Sequence, residues 1–332
     1  MSDHKARSVA TAMRLLQPYM EDPNVWELRI NKYGQLVTDT TNNGRVLHDI
    51  PELKQNHVSQ LLTSLLSFNS KERKALNDVL LPDGSRGTFL LEPAVKPGTT
   101  AVAIRKHLPV DLSLEELREQ GRFEGWNRIT KHGFDIDPVD NELMHLLETC
   151  SDPVAFLRRA VQLKKTIVIG GETGSGKTTF TRSLFREIPR TERLVLLEDT
   201  PEIESHIHDE IVHLIYGYGK DRIHPSELIK ACMRLTPDRI LMTELRDDAA
   251  WDYINVMNTG HPGGIMSSHF NSAQDAYSRI ALLIKATPIG RMLDFDTILK
   301  TLYVTFDIVV FMRNRQVVEV FYDPTFKKRH AA

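Results

Sequence analysis

The chain has 332 residues, about twice a typical domain length, so two domains sharing one polypeptide are expected. Hydrophobic residues make up 41% and charged residues 26%, which excludes a disordered or fibrous protein. Forty-two Lys and Arg face 44 Asp and Glu, a net charge of -2, so no global excess of positive charge recommends a nucleic-acid binder.

The two cysteines, Cys150 and Cys232, lie far apart with no CxxC partner, which removes a structural zinc site and suits a reducing compartment. The amino terminus has no sustained apolar core of a signal peptide, and no segment approaches the roughly 18 apolar residues that span a bilayer. A cytoplasmic protein is expected, with any membrane association peripheral.

In chain order, Val9, Met13, Leu16 and Met20 recur at helical spacing and predict a short opening helix that stops before Pro23. Strands are predicted over 26–30 and 35–39, with Asn43-Gly44 and Asp83-Gly84 as hairpin turns. Val58, Leu61, Leu62, Leu65 and Leu66 form one apolar helix face. Strands over 88–91 and 100–104 close a first, smaller α+β domain at residues 1–107. Residues 108–140 are rich in charge and turn formers and read as a linker. Ser113 followed by Glu116 has the spacing of a capping box and predicts one ordered helix over 113–120 within it.

From 141 to 332 the rhythm becomes alternating helix and strand. Strands are predicted over 166–170, 193–197, 211–215, 239–243 and 264–268, with helices to 163 and over 177–188, 226–235, 247–258 and 273–285. Apolar strands between helices imply a mostly parallel sheet covered on both faces, an α/β fold. A final antiparallel pair over 306–312 and 317–322 turns at Arg313-Asn-Arg315.

The stretch GETGSGKT, Gly171 to Thr178, follows the apolar run TIVIG and precedes a helix, which is the context a P-loop requires. Gly171, Gly174 and Gly176 let successive N–H groups and the helix N-terminus converge on one anion, with Glu172, Thr173, Ser175 and Thr179 completing the loop. Lys177 is expected to reach the β- and γ-phosphates of ATP, and the Thr178 hydroxyl to bind Mg²⁺. Binding alone does not cleave a phosphoanhydride; that also needs a group that positions water and charge that steadies the transition state. Such groups belong at the carboxyl ends of neighbouring strands. Glu244 is the candidate activator of water, with Glu198, Asp199 and Glu202 supporting the metal and its waters. His269, after strand 264–268, is a candidate γ-phosphate sensor, and His261 in its Gly-His-Pro-Gly turn a candidate coupling element.

These motifs together resemble the secretion ATPase superfamily, in particular the traffic ATPases of bacterial type IV secretion systems. The resemblance rests on GETGSGKTT, the acidic box LLEDTPEIE, the atypical Walker B segment MRLTPDRILMTELR and the histidine box NTGHPGGIMSSH. More weakly, it rests on LLEPAVKPGTTAVAIRKH in the first half. It implies a RecA-like P-loop NTPase domain after the smaller α+β domain, in a Mg-dependent ATPase motor that forms a homohexamer of two stacked layers. Such a motor powers assembly of, or substrate passage through, a secretion or conjugation apparatus. It would act beside the other cytoplasmic and inner-membrane components, peripherally at the inner face of the inner membrane.

The resemblance also implies an arginine from the amino-terminal domain at the γ-phosphate, matched by Arg105, and a second from the linker, where Arg118, Arg122 and Arg128 are candidates. Thr243 stands where the family carries Gly, and a side chain there is expected to crowd the backbone. The alternatives are a pilus or type II secretion ATPase and a DNA translocase on the same core. Type II ATPases commonly carry a four-cysteine metal module that two cysteines cannot build. Direct DNA binding is not indicated, because Lys327, Lys328 and Arg329 are the only dense basic cluster.

Overall fold

A computed structural model describes residues 2–107, 113–125, 136–149, 152–203, 207–219, 222–246 and 249–331. Arg128, Cys150 and Glu204 lie outside the described residues, as do 108–112 and 126–135 of the segment read as a linker.

The first half runs α1 (Ser2–Ala12), α2 (Gln17–Glu21), β1 (Val25–Ile30), β2 (Gln35–Thr40), β3 (Gly44–Asp49), α3 (Gln55–Asn69), β4 (Leu76–Leu80), β5 (Arg86–Leu90) and β6 (Ala101–Arg105). Its six strands form one antiparallel sheet in the order β3-β2-β1-β6-β5-β4. Both dipeptide turns join hairpins as expected, β2 to β3 and β4 to β5. The α3 face of Val58, Leu61, Leu62, Leu65 and Leu66 is buried against Leu28, Ile30, Phe89, Val102 and Ile104, which fixes the helix on one side of the sheet. Ser70 then ends α3 in the left-handed region at φ 53°.

Between the halves, α4 (Leu114–Glu119) opens on the expected box. Ser113 Oγ accepts from the Glu116 N–H at 3.2 Å, and Glu116 Oε2 accepts from the Ser113 N–H at 2.7 Å. The second half continues with α5 (Pro138–Met144), a π-helical turn over His145–Thr149, α6 (Pro153–Gln162), β7 (Ile167–Gly171), α7 (Lys177–Phe185), β8 (Arg193–Glu198), β9 (Glu210–Ile215) and α8 (Pro225–Cys232). It closes with β10 (Arg239–Met242), α9 (Ala249–Met257), β11 (Ile265–Ser268), α10 (Ala276–Lys285), α11 (Pro288–Met292), α12 (Phe295–Thr305), β12 (Ile308–Arg313), β13 (Gln316–Tyr322) and α13 (Pro324–Ala331).

The seven strands of this half lie in the order β13-β12-β7-β11-β10-β8-β9. All neighbours are parallel except β12 and β13, so the sheet is mixed but mostly parallel, as the sequence predicts. Alternate residues feed two cores: Val195, Leu197, Val212 and Leu214 face one, while Leu194, Leu196 and Ile211 face the other.

The first of these cores also contains Leu90, Ala94, Val95, Ala101 and Ala103, so the amino-terminal sheet packs directly onto the second half. Arginines reinforce the contact. Arg29 is wholly buried and reaches Glu27, Asp39 and Glu210; Arg193, also wholly buried, reaches Glu210 and Asn31. Arg45 adds Asp238 at 2.7 Å. Ion pairs this far from water hold only because each guanidinium is forked onto several oxygens.

Candidate active site

β7 delivers the glycine loop to the sheet edge between β11 and β12, and the loop enters α7. Gly170 admits no side chain, since a Cβ would stand 1.8 Å from the Phe270 ring. Gly171 has φ 151°, and a Cβ there would meet the Met312 carbonyl oxygen at 2.4 Å. Gly174 and Gly176 take φ 78° and 92°, the left-handed conformations that glycine adopts without strain. Gly176 caps α7 without any side-chain hydrogen bond, leaving the first-turn N–H groups of the helix free of a competing cap. The Ser175 hydroxyl is buried beneath the loop with no partner. These features fit an anion cradle.

The cavity above the loop measures about 890 Å³. From the loop it is lined by residues 173–179; from neighbouring strand ends come Asp199, Glu202, Thr243, Glu244, Arg246 and His269. Lys177 Nζ donates to the carbonyls of Gly171 at 2.7 Å and Glu172 at 2.9 Å. Burial pushes the Lys177 ammonium below its ordinary value, against the opposing pull of Glu244.

Glu244 follows β10 and His269 follows β11, so adjacent parallel strands bring them together. Glu244 Oε1 lies 3.0 Å from His269 Nε2, and Oε2 accepts from Arg246 Nη2 at 2.6 Å. His269 Nδ1 lies 3.1 Å from the Gly171 carbonyl, which ties the strand-end pair to the glycine loop. Burial works to push the Glu244 pKa up, but the Arg246 hydrogen bond and charge, with His269, outweigh it and hold the carboxyl below the usual range. Glu244 therefore stands ionised at neutral pH, on the wall of the cavity above the loop.

Thr243 does not crowd the backbone. Its N–H donates to the Leu197 carbonyl at 3.2 Å, its hydroxyl lies 3.4 Å from the same oxygen, and its own carbonyl accepts from Ser267 Oγ at 2.6 Å. The residue is absent from the positive-φ positions, so no glycine is required there.

Three expected site residues lie elsewhere. Glu198 is wholly buried: Oε1 accepts from the N–H groups of Glu202 and Ile203 at 3.0 and 2.9 Å, and Oε2 meets His213 Nδ1 at 3.0 Å. It shares the face of Leu194 and Leu196, so the pleat turns it away from the cavity. Arg105 ends β6 with its guanidinium 5.9 Å over the Trp26 ring, beside a separate cavity of about 390 Å³ shared with Arg86 and Arg234. His261 is outside the main cavity as well, its Nδ1 buried without a partner. The linker candidates Arg118 and Arg122 are likewise not among the cavity's lining residues.

Conversely, Arg315 enters the cavity unannounced by any motif. β12 pairs in parallel with β7, so the β12–β13 turn overhangs the loop, and Arg315 Cα comes within 3.5 Å of where a Gly176 Cβ would be. The turn itself is legible in the sequence, but its place over the loop needs the strand order.

A glycine cradle with its lysine, opposite a strand-end carboxylate and histidine, defines a P-loop ATPase. Comparison with known proteins places it more narrowly. The family described as "Type II/IV secretion system protein" matches residues 133–300. The chain is 34% identical to the type IV secretion system protein VirB11 of Brucella suis, covering 98% of this chain and 92% of that protein. It is 31% identical to PtlH of Bordetella pertussis over 95% of each. The crystal structure of the Brucella suis VirB11 ATPase in complex with sulphate matches with a TM-score of 0.92 over 99% of this chain and 98% of that one, at 34% identity.

The chain belongs to the VirB11 family of type IV secretion system ATPases. The pilus, type II and DNA-translocase alternatives give way to that assignment.

Proposed function

We propose that residues 171–179 hold the triphosphate of ATP, with Lys177 on the β- and γ-phosphates and the Thr178 hydroxyl on Mg²⁺. The metal supplies positive charge to the phosphate oxygens. Among the described residues no group of three or more His, Cys, Asp or Glu converges on a metal position, which suits an ion held largely by phosphate and water. Asp199 and Glu202 line the cavity wall, where they would hold the ion's waters. Glu244 orients and deprotonates the attacking water, and His269 reports the γ-phosphate to the loop through Gly171.

The observation that carries this reading is the chain Gly171–His269–Glu244–Arg246 inside the cavity, because it joins cradle and base in one hydrogen-bonded unit. Glu198 acts by holding the acidic loop, not by touching the metal. The functional units are residues 1–107, the linker 108–140 and the ATPase domain 141–332. We further infer a homohexamer at the cytoplasmic face of the inner membrane, working with the other components of a type IV apparatus. Since Arg105 lies outside this chain's own cavity, it reaches a γ-phosphate only from an adjacent copy or after the halves move.

The test is ATPase rate against oligomer mass for the parent, Lys177→Ala, Glu244→Gln and Arg105→Ala. Turnover should be abolished in the first, fall by about 100-fold or more in the second and drop in the third only where hexamers form. Parent-like turnover in Lys177→Ala would sink the site.

A further inference from the structure

The acidic loop after β8 forms one wall of the nucleotide cavity, through Asp199, Thr200 and Glu202, yet the carboxylate that shapes it points away from that cavity. Glu198 Oε1 gathers the Glu202 and Ile203 N–H groups, which bends the chain back over the end of β8. Its other oxygen lies 3.0 Å from His213 Nδ1. A carboxylate with no solvent exposure depends heavily on each of its hydrogen bonds. Without His213 it would rotate toward a new donor and release the loop.

His213 is itself held firmly. It lies in the middle of β9, opposite Leu196 of β8, at the edge of the sheet. The amino-terminal half closes that edge. The Lys96 N–H donates to the His213 carbonyl at 3.1 Å, the Ile215 N–H donates to the Ala94 carbonyl at 2.9 Å, and Val95 bridges Leu214. The His213 backbone is thus fixed from both sides, by its own ladder and by a strand segment of the other half.

We propose that His213 is a positioning residue for ATP turnover, acting through Glu198 to set the acidic loop on the cavity wall. The inference rests on the reading that this cavity turns over ATP. His213 is not among the residues that line the cavity; its effect is on where Asp199 and Glu202 stand when the γ-phosphate is attacked. A displacement of about 1 Å in such a wall costs up to about 100-fold in rate while leaving the cradle for the phosphates intact. The signature is therefore a loss in kcat separated from nucleotide affinity.

The experiment uses the full chain and compares the parent with His213→Leu, His213→Asn, Glu198→Leu, the double variant His213→Leu/Glu198→Leu, and Lys177→Ala. Read out are kcat, affinity for a non-hydrolysable ATP analogue, and amide exchange at Glu202 and Ile203. His213→Leu should lower kcat by about 10- to 100-fold with analogue affinity changed by less than about threefold. The Glu202 and Ile203 amides should exchange faster in that variant. His213→Asn, whose side-chain amide nitrogen takes the place of Nδ1, should recover most of the lost kcat.

The double variant should be scarcely worse than either single one, because both break the same contact. Undiminished kcat in His213→Leu, equal losses in His213→Leu and His213→Asn, or fully additive losses in the double variant would each overturn the proposal. If His213→Leu does not fold, Glu198→Leu and His213→Asn decide it: a parent-like Glu198→Leu refutes the proposal, whereas an impaired Glu198→Leu beside an active His213→Asn supports it. Parent-like turnover in Lys177→Ala would instead bring down the reading of the cavity. An inactive Lys177→Ala beside an unimpaired His213→Leu leaves that reading standing and removes His213 alone.

Discussion

Replacing Glu210 by leucine should damage the joint between the two halves more than any surface substitution. Glu210 Oε1 takes hydrogen bonds from Arg29 Nε at 3.0 Å, Asn31 Nδ2 at 3.2 Å and Arg193 Nη1 at 3.0 Å. Burial already pushes the Arg193 guanidinium down to about 10, and Glu210 is the largest force opposing that fall. The charged guanidinium thus sits in the joint at a desolvation cost even with its partner in place. Leucine removes the compensation and leaves the charge buried, so Glu210→Leu should cost about 3–5 kcal/mol. Arg193→Met should cost a similar amount. The combined Glu210→Leu/Arg193→Met variant should recover part of the loss, because apolar groups of like volume replace a buried ion pair at little net cost. Denaturant titration, followed by a probe in each half, measures all three. A cost below about 1 kcal/mol for Glu210→Leu, or strict additivity in the double variant, would refute the claim that this network holds the halves together.

Gly170→Ala should destabilise by about 1–3 kcal/mol and depress nucleotide binding, because the new methyl would overlap the Phe270 ring behind the loop; thermal melts and analogue titration check it, and the compensating Phe270→Leu should restore part of both. Arg246→Met should move the acid limb of kcat/KM to higher pH. Arg246 is the largest force holding the Glu244 carboxyl low, so its removal lets that carboxyl protonate earlier; an unmoved limb in a pH–rate profile would detach Glu244 from the chemistry. The same depression contributes stability that is present above the ordinary carboxylate range and lost as pH falls through the lowered value, so the parent should lose more stability on acidification than Arg246→Met. Arg315→Gly should weaken ATP binding by about 3- to 10-fold with kcat retained. At φ 62° glycine fits that turn without strain, so its melting temperature should not fall.

What the sequence made legible follows from how local each signal is. The P-loop is contiguous, and its glycines, lysine and following helix are dictated within a dozen residues, so loop and context were both readable. Glu244 and His269 were readable because a parallel sheet gathers its strand ends at one edge. The orientation of Glu198 was also within reach: it has the parity of Leu194 and Leu196, and that alternation sends it to the face covered by α6 and α7. Arg105 was not, since its surroundings depend on how two separately folded sheets dock. Helix α12 escaped because its sequence, FDTILKTLYVT, is rich in β-branched residues; burial of Ile298 and Leu302 in the second-half core overrides that local preference. The buried Arg29, Arg193 and Arg239 look like ordinary surface charge until the fold supplies their partners.

The placement of those arginines gives the second sheet two working edges. β8 begins at Arg193, inside the joint with the amino-terminal half, and ends at Glu198, which shapes the cavity wall. β10 begins at Arg239, wholly buried on Glu192, and leads to Glu244. A strand of four to six residues is about 13–20 Å long, too far for a charge at one end to act directly on the other through protein and water. Damage at Arg193 or Glu210 should therefore appear as lost stability first, and in turnover only as far as the strands shift. β9 escapes this separation. As the edge strand it touches the other half along its length, and its middle residue, His213, also reaches across to Glu198. If motion of the amino-terminal half is felt at the nucleotide, this strand is a connected route, and it runs through a hydrogen bond that one substitution removes.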